Sequence, residues 1–77
     1  MTVKVLYFAS LRELVGHPST TIALESPQTV ESLWSQVNPD IERPEACLVA
    51  VNQEYADLQT LINDGDEVAF FPQVTGG

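Results

Sequence analysis

Apolar and polar positions alternate at the start of the chain. Val3, Val5 and Tyr7 fall on one face of an extended segment, and Lys4, Leu6 and Phe8 on the other, because successive side chains of a strand point to opposite sides. Residues 2–8 are rich in β-branched and aromatic types and predict a first strand. In Ser10-Leu11-Arg12-Glu13-Leu14-Val15-Gly16 the apolar spacing becomes helical, and Gly16 suits a helix C-cap, so one or two helical turns are expected there. The Gly16-His17-Pro18 turn leads into a short strand over 20–24, expected to pair with the first.

The clearest periodicity lies further on. Val30, Leu33, Trp34 and Val37 recur at i, i+3, i+4 and i+7, which predicts an amphipathic helix. Thr29 reads as its N-cap, Glu31 suits the positive end of the helix dipole, and Asn38-Pro39 ends it. A polar loop, Asp40 to Glu45, precedes an apolar run over 46–51 that reads as a buried strand. Asn52-Gln53 suggests a turn into a short strand near Tyr55, and Leu58, Leu61 and Ile62 a packed turn. Asn63-Asp64-Gly65-Asp66 is a strong turn signal before a last strand, Glu67 to Phe71, that Pro72 stops.

The order is strand, strand, helix, strand, strand, strand. One helix after an N-terminal hairpin has to lie across a sheet face to bury Trp34. The expected fold is therefore α+β: a mixed sheet of about five strands against one main helix, with the last strand parallel to the first in the middle. That is a β-grasp layout. The 77 residues make a single domain, 1–77, with 72–77 as an extended, flexible C-terminal tail.

Composition narrows the function. Three basic residues against eleven acidic ones give a formal charge of −8. Lys4, Arg12 and Arg43 are scattered, which disfavours nucleic acid, since phosphate contacts draw on Lys and Arg. The acidic balance serves solubility or attraction to basic partner surfaces. No apolar run approaches the ~20 residues of a membrane span, and the first residues read as a strand rather than a signal peptide, so the expected location is cytoplasmic. Cys47, the single cysteine, sits in an apolar run and reads as a buried, inert thiol. No His, Cys or carboxylate cluster suggests a metal site, and no nucleophile–base pair suggests an enzyme complete in itself. His17 lies in a turn and reads as a bystander.

The sequence closes with Gln73-Val74-Thr75-Gly76-Gly77. Two glycines in a row let a backbone enter a tunnel that any Cβ would block. Residues 72–77 extend to about 20 Å, long enough to enter an active site on another protein while the domain docks outside. The carboxylate at Gly77 becomes electrophilic once a partner activates it, for example as an acyl-adenylate.

Three stretches carry a family resemblance: residues 5–13 (Val-Leu-Tyr-Phe-Ala-Ser-Leu-Arg-Glu), Ala50-Val51-Asn52-Gln53, and residues 64–77, from Asp64-Gly65-Asp66 to Gly76-Gly77. Together they make the chain resemble, over essentially its whole length, the small sulfur-carrying subunits of molybdopterin synthase, in the ubiquitin-like superfamily. The resemblance implies that a ubiquitin-activating-like adenylyltransferase uses ATP to adenylate Gly77. A sulfur donor protein then displaces AMP, leaving a thiocarboxylate. The large catalytic subunit of the synthase receives the tail, and sulfur passes to cyclic pyranopterin monophosphate to build the molybdopterin dithiolene. The synthase is implied to be a heterotetramer around a large-subunit dimer. The carrier binds no cofactor and is not catalytic on its own.

The resemblance places Gly76, Thr75 and Val74 in the inserted tail, and Phe8, Tyr55 and Phe71 on an apolar docking surface. Core packing is the other reading of these aromatics. It also implies that Arg12 pairs with an acid on a partner or a neighbouring helix; a solvated surface arginine is the alternative. Family members usually carry a second proline where this chain has Gln73, so some preorganisation of the tail is expected to be lost. Two other functions stay open: a sulfur carrier for another pathway, of the thiamine-thiazole type, and a non-catalytic ubiquitin-like interaction module with an idle tail.

Overall fold

The alternating segment at the start of the chain folds as β1 (Thr2–Tyr7) in the computed structural model, which describes residues 1–73. Val3, Val5 and Tyr7 are buried while Lys4 is exposed and Leu6 half-buried. The chain continues through α1 (Ser10–Val15), β2 (Ser19–Ala23), β3 (Gln28–Thr29), α2 (Val30–Val37), β4 (Cys47–Val51), β5 (Glu54–Ala56), β6 (Leu61–Ile62) and β7 (Glu67–Pro72). Five strands form one mixed sheet in the order β2-β1-β7-β4-β5. β1 pairs antiparallel with β2 and parallel with β7, with Val5 opposite Val68 and Tyr7 opposite Phe70. The β-grasp expectation, including the parallel central pair, is met.

α2 covers one face of this sheet. Its N-cap is Thr29, whose Oγ1 accepts a hydrogen bond from the Ser32 N–H at 3.2 Å. The first helical N–H groups, which have no partner inside the helix, donate to carbonyls of the 58–60 segment: Val30 to Thr60 and Glu31 to Leu58. Val30, Leu33 and Trp34 are buried against the sheet. The Trp34 ring meets Phe70 edge-on at 4.9 Å and Tyr7 edge-on at 6.0 Å, and Tyr7 stacks on Phe70 at 6.1 Å. Trp34 Nε1–H donates to the Ile41 carbonyl at 2.8 Å. Asn38, the C-cap of α2, is buried and donates through Nδ2 to the Tyr7 hydroxyl at 3.1 Å. This polar pair is satisfied by its own geometry, the condition on which buried polar groups are tolerated.

Several expectations are corrected. Leu61 and Ile62 form β6 rather than a packed turn, and pair antiparallel with β3 in a second, two-stranded sheet. Two-residue strands leave too little periodicity to read. β1 stops at Tyr7, leaving Phe8 just beyond it. Residues 46–51 are not wholly buried: in β4 only Val49 is, since Leu48 and Ala50 lie on the face without a helix while Cys47 and Val51, on the face of Val49, are half-buried at the strand ends. Pro72 does not stop the last strand but belongs to it. Asn52 N–H donates to Glu67 and Gln73 N–H to Ala46, so the bonds to β4 fall on alternate residues of β7 and Pro72 falls between them. A proline there removes no ladder bond.

Two turns demand unusual backbone. The β4–β5 hairpin closes through Asn52 and Gln53, at φ 52° and 70°, as a two-residue turn that matches strand twist requires. Asn52 also ties the hairpin to the start of β7: its Nδ2 donates to Asp66 Oδ1 at 2.9 Å, and its Oδ1 accepts from the Glu67 N–H at 3.0 Å. Ala9, between β1 and α1, has φ 51° and ψ −125°, a region made for glycine.

Replacing Ala9 by Gly is expected to stabilise the fold by about 1 kcal/mol, strain relief outweighing the extra chain entropy of glycine. The melting temperature rises by roughly 4–8 °C for a domain of this size. Thermal unfolding followed by circular dichroism checks it, and a lower midpoint would contradict strain at Ala9.

Burial raises the Tyr7 hydroxyl pKa above its ordinary value of 10.0, and the bond from Asn38 only partly opposes the shift. The folded state then holds this proton longer than the unfolded chain. Its contribution is complete below the unfolded value and is lost as pH rises through the folded one. Denaturant unfolding between neutral and strongly alkaline pH is expected to show stability falling above pH 10.0. In Tyr7→Phe that component of the fall is absent, although stability at neutral pH is lower by about 1–3 kcal/mol because the buried Asn38 amide loses its acceptor.

Candidate functional site

Among the described residues, no helix covers the face of the main sheet opposite α2. Alternation fixes what lies on it. In β1 it carries Lys4 and Leu6, in β7 Glu67, Ala69 and Phe71, in β4 Leu48 and Ala50, and in β5 Tyr55. The register sets Leu6 beside Ala69, Ala69 opposite Ala50, Phe71 opposite Leu48, and Ala50 opposite Tyr55. An apolar band therefore crosses four strands, with Lys4 and Glu67 at one end. Small alanines in its middle and large side chains around them make a shallow surface on which another protein can seat.

The aromatics expected to dock fall on this face unequally. Tyr55 is 81% exposed, and its ring lies 5.9 Å from that of half-buried Phe71. A tyrosine so exposed contributes little to the core. Phe8 is 49% exposed and follows the last β1–β7 rung, its N–H donating to the Phe70 carbonyl at 3.0 Å. It thus stands next to Phe71 by register. Phe70, the neighbour that sequence alternation places on the other face, is the core residue. Arg12 is not part of this band. It is exposed on α1, whose buried anchor is Leu11. Leu6, Leu48, Ala50 and Ala69 were missed, because a strand run that looks continuously apolar does not say which face is bare; pairing does.

The band runs to the end of β7, where the chain leaves the sheet. Val74, Thr75, Gly76 and Gly77, expected to form the inserted tail, lie outside the described residues. The root of the tail is held: Gln73 N–H donates to the Ala46 carbonyl at 2.9 Å. That bond offsets the stiffness expected to be lost with the absent proline.

Beside this root, on the α2 side of the sheet, is a groove of about 290 Å³ bordered by Leu11, Leu14, Pro44, Cys47 and Pro72. Cys47 is half-buried here, not fully buried as expected. Burial pushes its thiol pKa up, and the neighbouring Arg43 guanidinium offsets part of the shift. A thiol held in its protonated form is a poor nucleophile. His17 is exposed, its Nδ1 3.0 Å from the Ser19 carbonyl oxygen and its ring edge-on to Tyr7 at 5.6 Å. Among the described residues no group of three His, Cys, Asp or Glu side chains is arranged to hold a metal, and no helix is long and apolar enough to cross a membrane.

Comparison with known proteins agrees with this geometry. Residues 5–77 match the model of the ThiS family. The molybdopterin synthase sulfur carrier subunit of Escherichia coli is 44% identical over 97% of this chain and 99% of its own. That of Chlamydomonas reinhardtii is 39% identical over all of both chains. Among solved structures, a putative molybdopterin converting factor subunit 1 from Pyrococcus furiosus superposes with a TM-score of 0.78 at 28% identity, covering 96% of this chain and 99% of that one. A chain of the protein–protein complex of subunits 1 and 2 of molybdopterin-converting factor from Helicobacter pylori shares the fold, at a TM-score of 0.66 and 24% identity over the whole of both chains. The chain belongs to the ThiS family and, within it, to the molybdopterin synthase sulfur carrier subunits.

Proposed function

We propose that this chain carries sulfur on its C-terminal glycine and delivers it inside a partner's active site. The observation that carries the reading is the Gly76-Gly77 end of the sequence, a few residues after β7, in a domain of this family whose described residues include a partly exposed apolar sheet face. The Gly77 carboxylate attacks the α-phosphate of ATP on an activating enzyme and releases pyrophosphate. Hydrosulfide delivered by a sulfur donor attacks the acyl carbon; the C–S bond forms, the C–O bond to AMP breaks, the S–H proton is lost to water, and a thiocarboxylate remains. The tail then enters the large catalytic subunit of molybdopterin synthase. Sulfur passes to cyclic pyranopterin monophosphate, and the carboxylate is regenerated with oxygen from water. The names of the relatives support this substrate. The Helicobacter pylori complex supports by analogy a large-subunit partner.

The docking face has the shape such a role needs. The apolar band supplies non-directional adhesion, while the chain's formal charge of −8 favours a partner with a basic rim. Neither element has to perform chemistry. The tail supplies the reactive atom and the partner supplies the catalyst.

Intact-mass measurement tests the carrier reading. Incubation with an activating enzyme, ATP and a sulfur source is expected to exchange one oxygen for one sulfur at the terminus. The chain lacking Gly77 is expected to fold with an unchanged melting temperature yet support no dithiolene formation. Retained activity without Gly77 would leave an idle tail and an interaction module.

The docking face has its own test. Tyr55→Asp is expected to leave stability within about 0.5 kcal/mol, since the ring is largely exposed. It is expected to weaken association with the large subunit by at least tenfold, about 1.4 kcal/mol. Titration calorimetry of the two subunits reads this; undiminished affinity would move the interface elsewhere.

A further inference from the structure

We propose that the backbone N–H of Gln73 is a positioning device that fixes where the tail leaves the domain and so how far it reaches. This rests on the carrier reading. The last paired rung of the β4–β7 ladder is Cys47 with Pro72. Pro72 falls between the bonded positions of this ladder. The next residue supplies the final bond, from Gln73 N–H to the Ala46 carbonyl at 2.9 Å. Its partner residue is in turn placed by the short loop before β4, where Cys47 N–H donates to the Pro44 carbonyl at 3.2 Å. The exit point is thus tied to the body of the domain on the side opposite β1.

The consequence is metric. With Gln73 held, the reaching segment is 74–77, at most about 13 Å long at full extension. With the bond broken, departure moves back towards Phe71, and the segment gains length and freedom. The longer chain still reaches any point the shorter one does. It arrives with more backbone to immobilise, and each residue fixed carries an entropic cost. The bond therefore acts on tail capture rather than on the sulfur-transfer step. Gln73 is a positioning residue, acting through its main chain; its side chain is exposed and plays no part.

Two altered chains separate the bond from everything else. In one, the amide between Pro72 and residue 73 is replaced by an ester, which removes the N–H and leaves φ free. In the other, Gln73→Pro removes the N–H but locks φ near −65° through its ring. Both are loaded as thiocarboxylates and mixed with the large subunit and precursor under single-turnover conditions. The ester chain is expected to need roughly fivefold more large subunit for half-maximal rate, with the saturated rate within about twofold of the parent. Gln73→Pro is expected to recover most of that loss. A purely structural role would lower stability without this split or this rescue. An ester chain that saturates like the parent overturns the proposal, as does a proline chain no better than the ester.

Hydrogen exchange on the unaltered protein reads the bond without any sulfur chemistry. The Gln73 N–H is expected to exchange at least tenfold more slowly than in an unstructured peptide. Exchange at the unstructured rate overturns the proposal. A parent chain that transfers no sulfur, with this N–H protected, would instead be a failure of the carrier reading.

Discussion

The parallel pairing of β1 with β7 is the constraint on which the rest depends. It sets the first and last strands side by side in the middle of the sheet and makes the last strand a central one, between β1 and β4. A central strand is bonded along both edges and buried on at least one face. Here Val68 and Phe70 of β7 lie under Trp34, between the buried side chains of β1 and Val49 of β4. A segment leaving the end of such a strand departs from the firmest part of the molecule. The same segment on an edge strand would depart from a part that frays, and its exit point would wander with it.

Size then decides what the opposite face does. A chain of 77 residues has length for one helix of two turns across the sheet and little else. Only one face is covered, so apolar residues on the other stay partly exposed whatever the fold would gain by burying them. Leu6, Leu48, Ala50, Ala69 and Phe71 are half-buried for this reason. Tyr55 differs. At 81% exposure it holds almost no core contact, and its presence at the edge of the band fits recognition better than stability. The domain's small size thus leaves an apolar surface partly exposed.

Much of this was legible in the sequence. The first strand, read as 2–8 and observed as 2–7, declared itself by alternation, the helix at 30–37 by its period, and the cap at Thr29 by its hydroxyl placed just ahead of the first apolar position. The parallel central pair was an arrangement the element order allowed; periodicity does not reveal pairing, and the register of Val5 with Val68 establishes it. β3 and β6 were not legible, since two residues carry no period and their pairing depends on where the 58–62 segment is laid by α2. The bare face of β4 was hidden for a related reason: Leu48, Val49 and Ala50 are all apolar, and only register separates Val49, turned towards Trp34 and Phe70, from its neighbours. Pro72 misled because a proline ends most strands. It is harmless here through the parity of the ladder, which no local pattern reveals. The docking aromatics were named through the resemblance to a family, and the register then gave two of them, Tyr55 and Phe71, a shared face.

The distribution of chemistry follows from the same economy of size. An active site needs several side chains held from different directions, each supported by a further layer of packing. A five-stranded sheet with one two-turn helix across one face, flanked by a helix of a turn and a half and a two-residue ribbon, leaves little room for such a layer. Its buried polar pair, Tyr7 with Asn38, is used to lock the helix end onto the sheet. Its thiol, Cys47, is kept protonated by burial. What a fold of this kind does supply is a rigid departure point and a face for docking. A reactive group is then best carried on a main-chain terminus, which needs no surrounding pocket until it enters one. Two glycines at a terminus narrow a chain to its backbone, which a confined pocket can admit where any Cβ would be blocked.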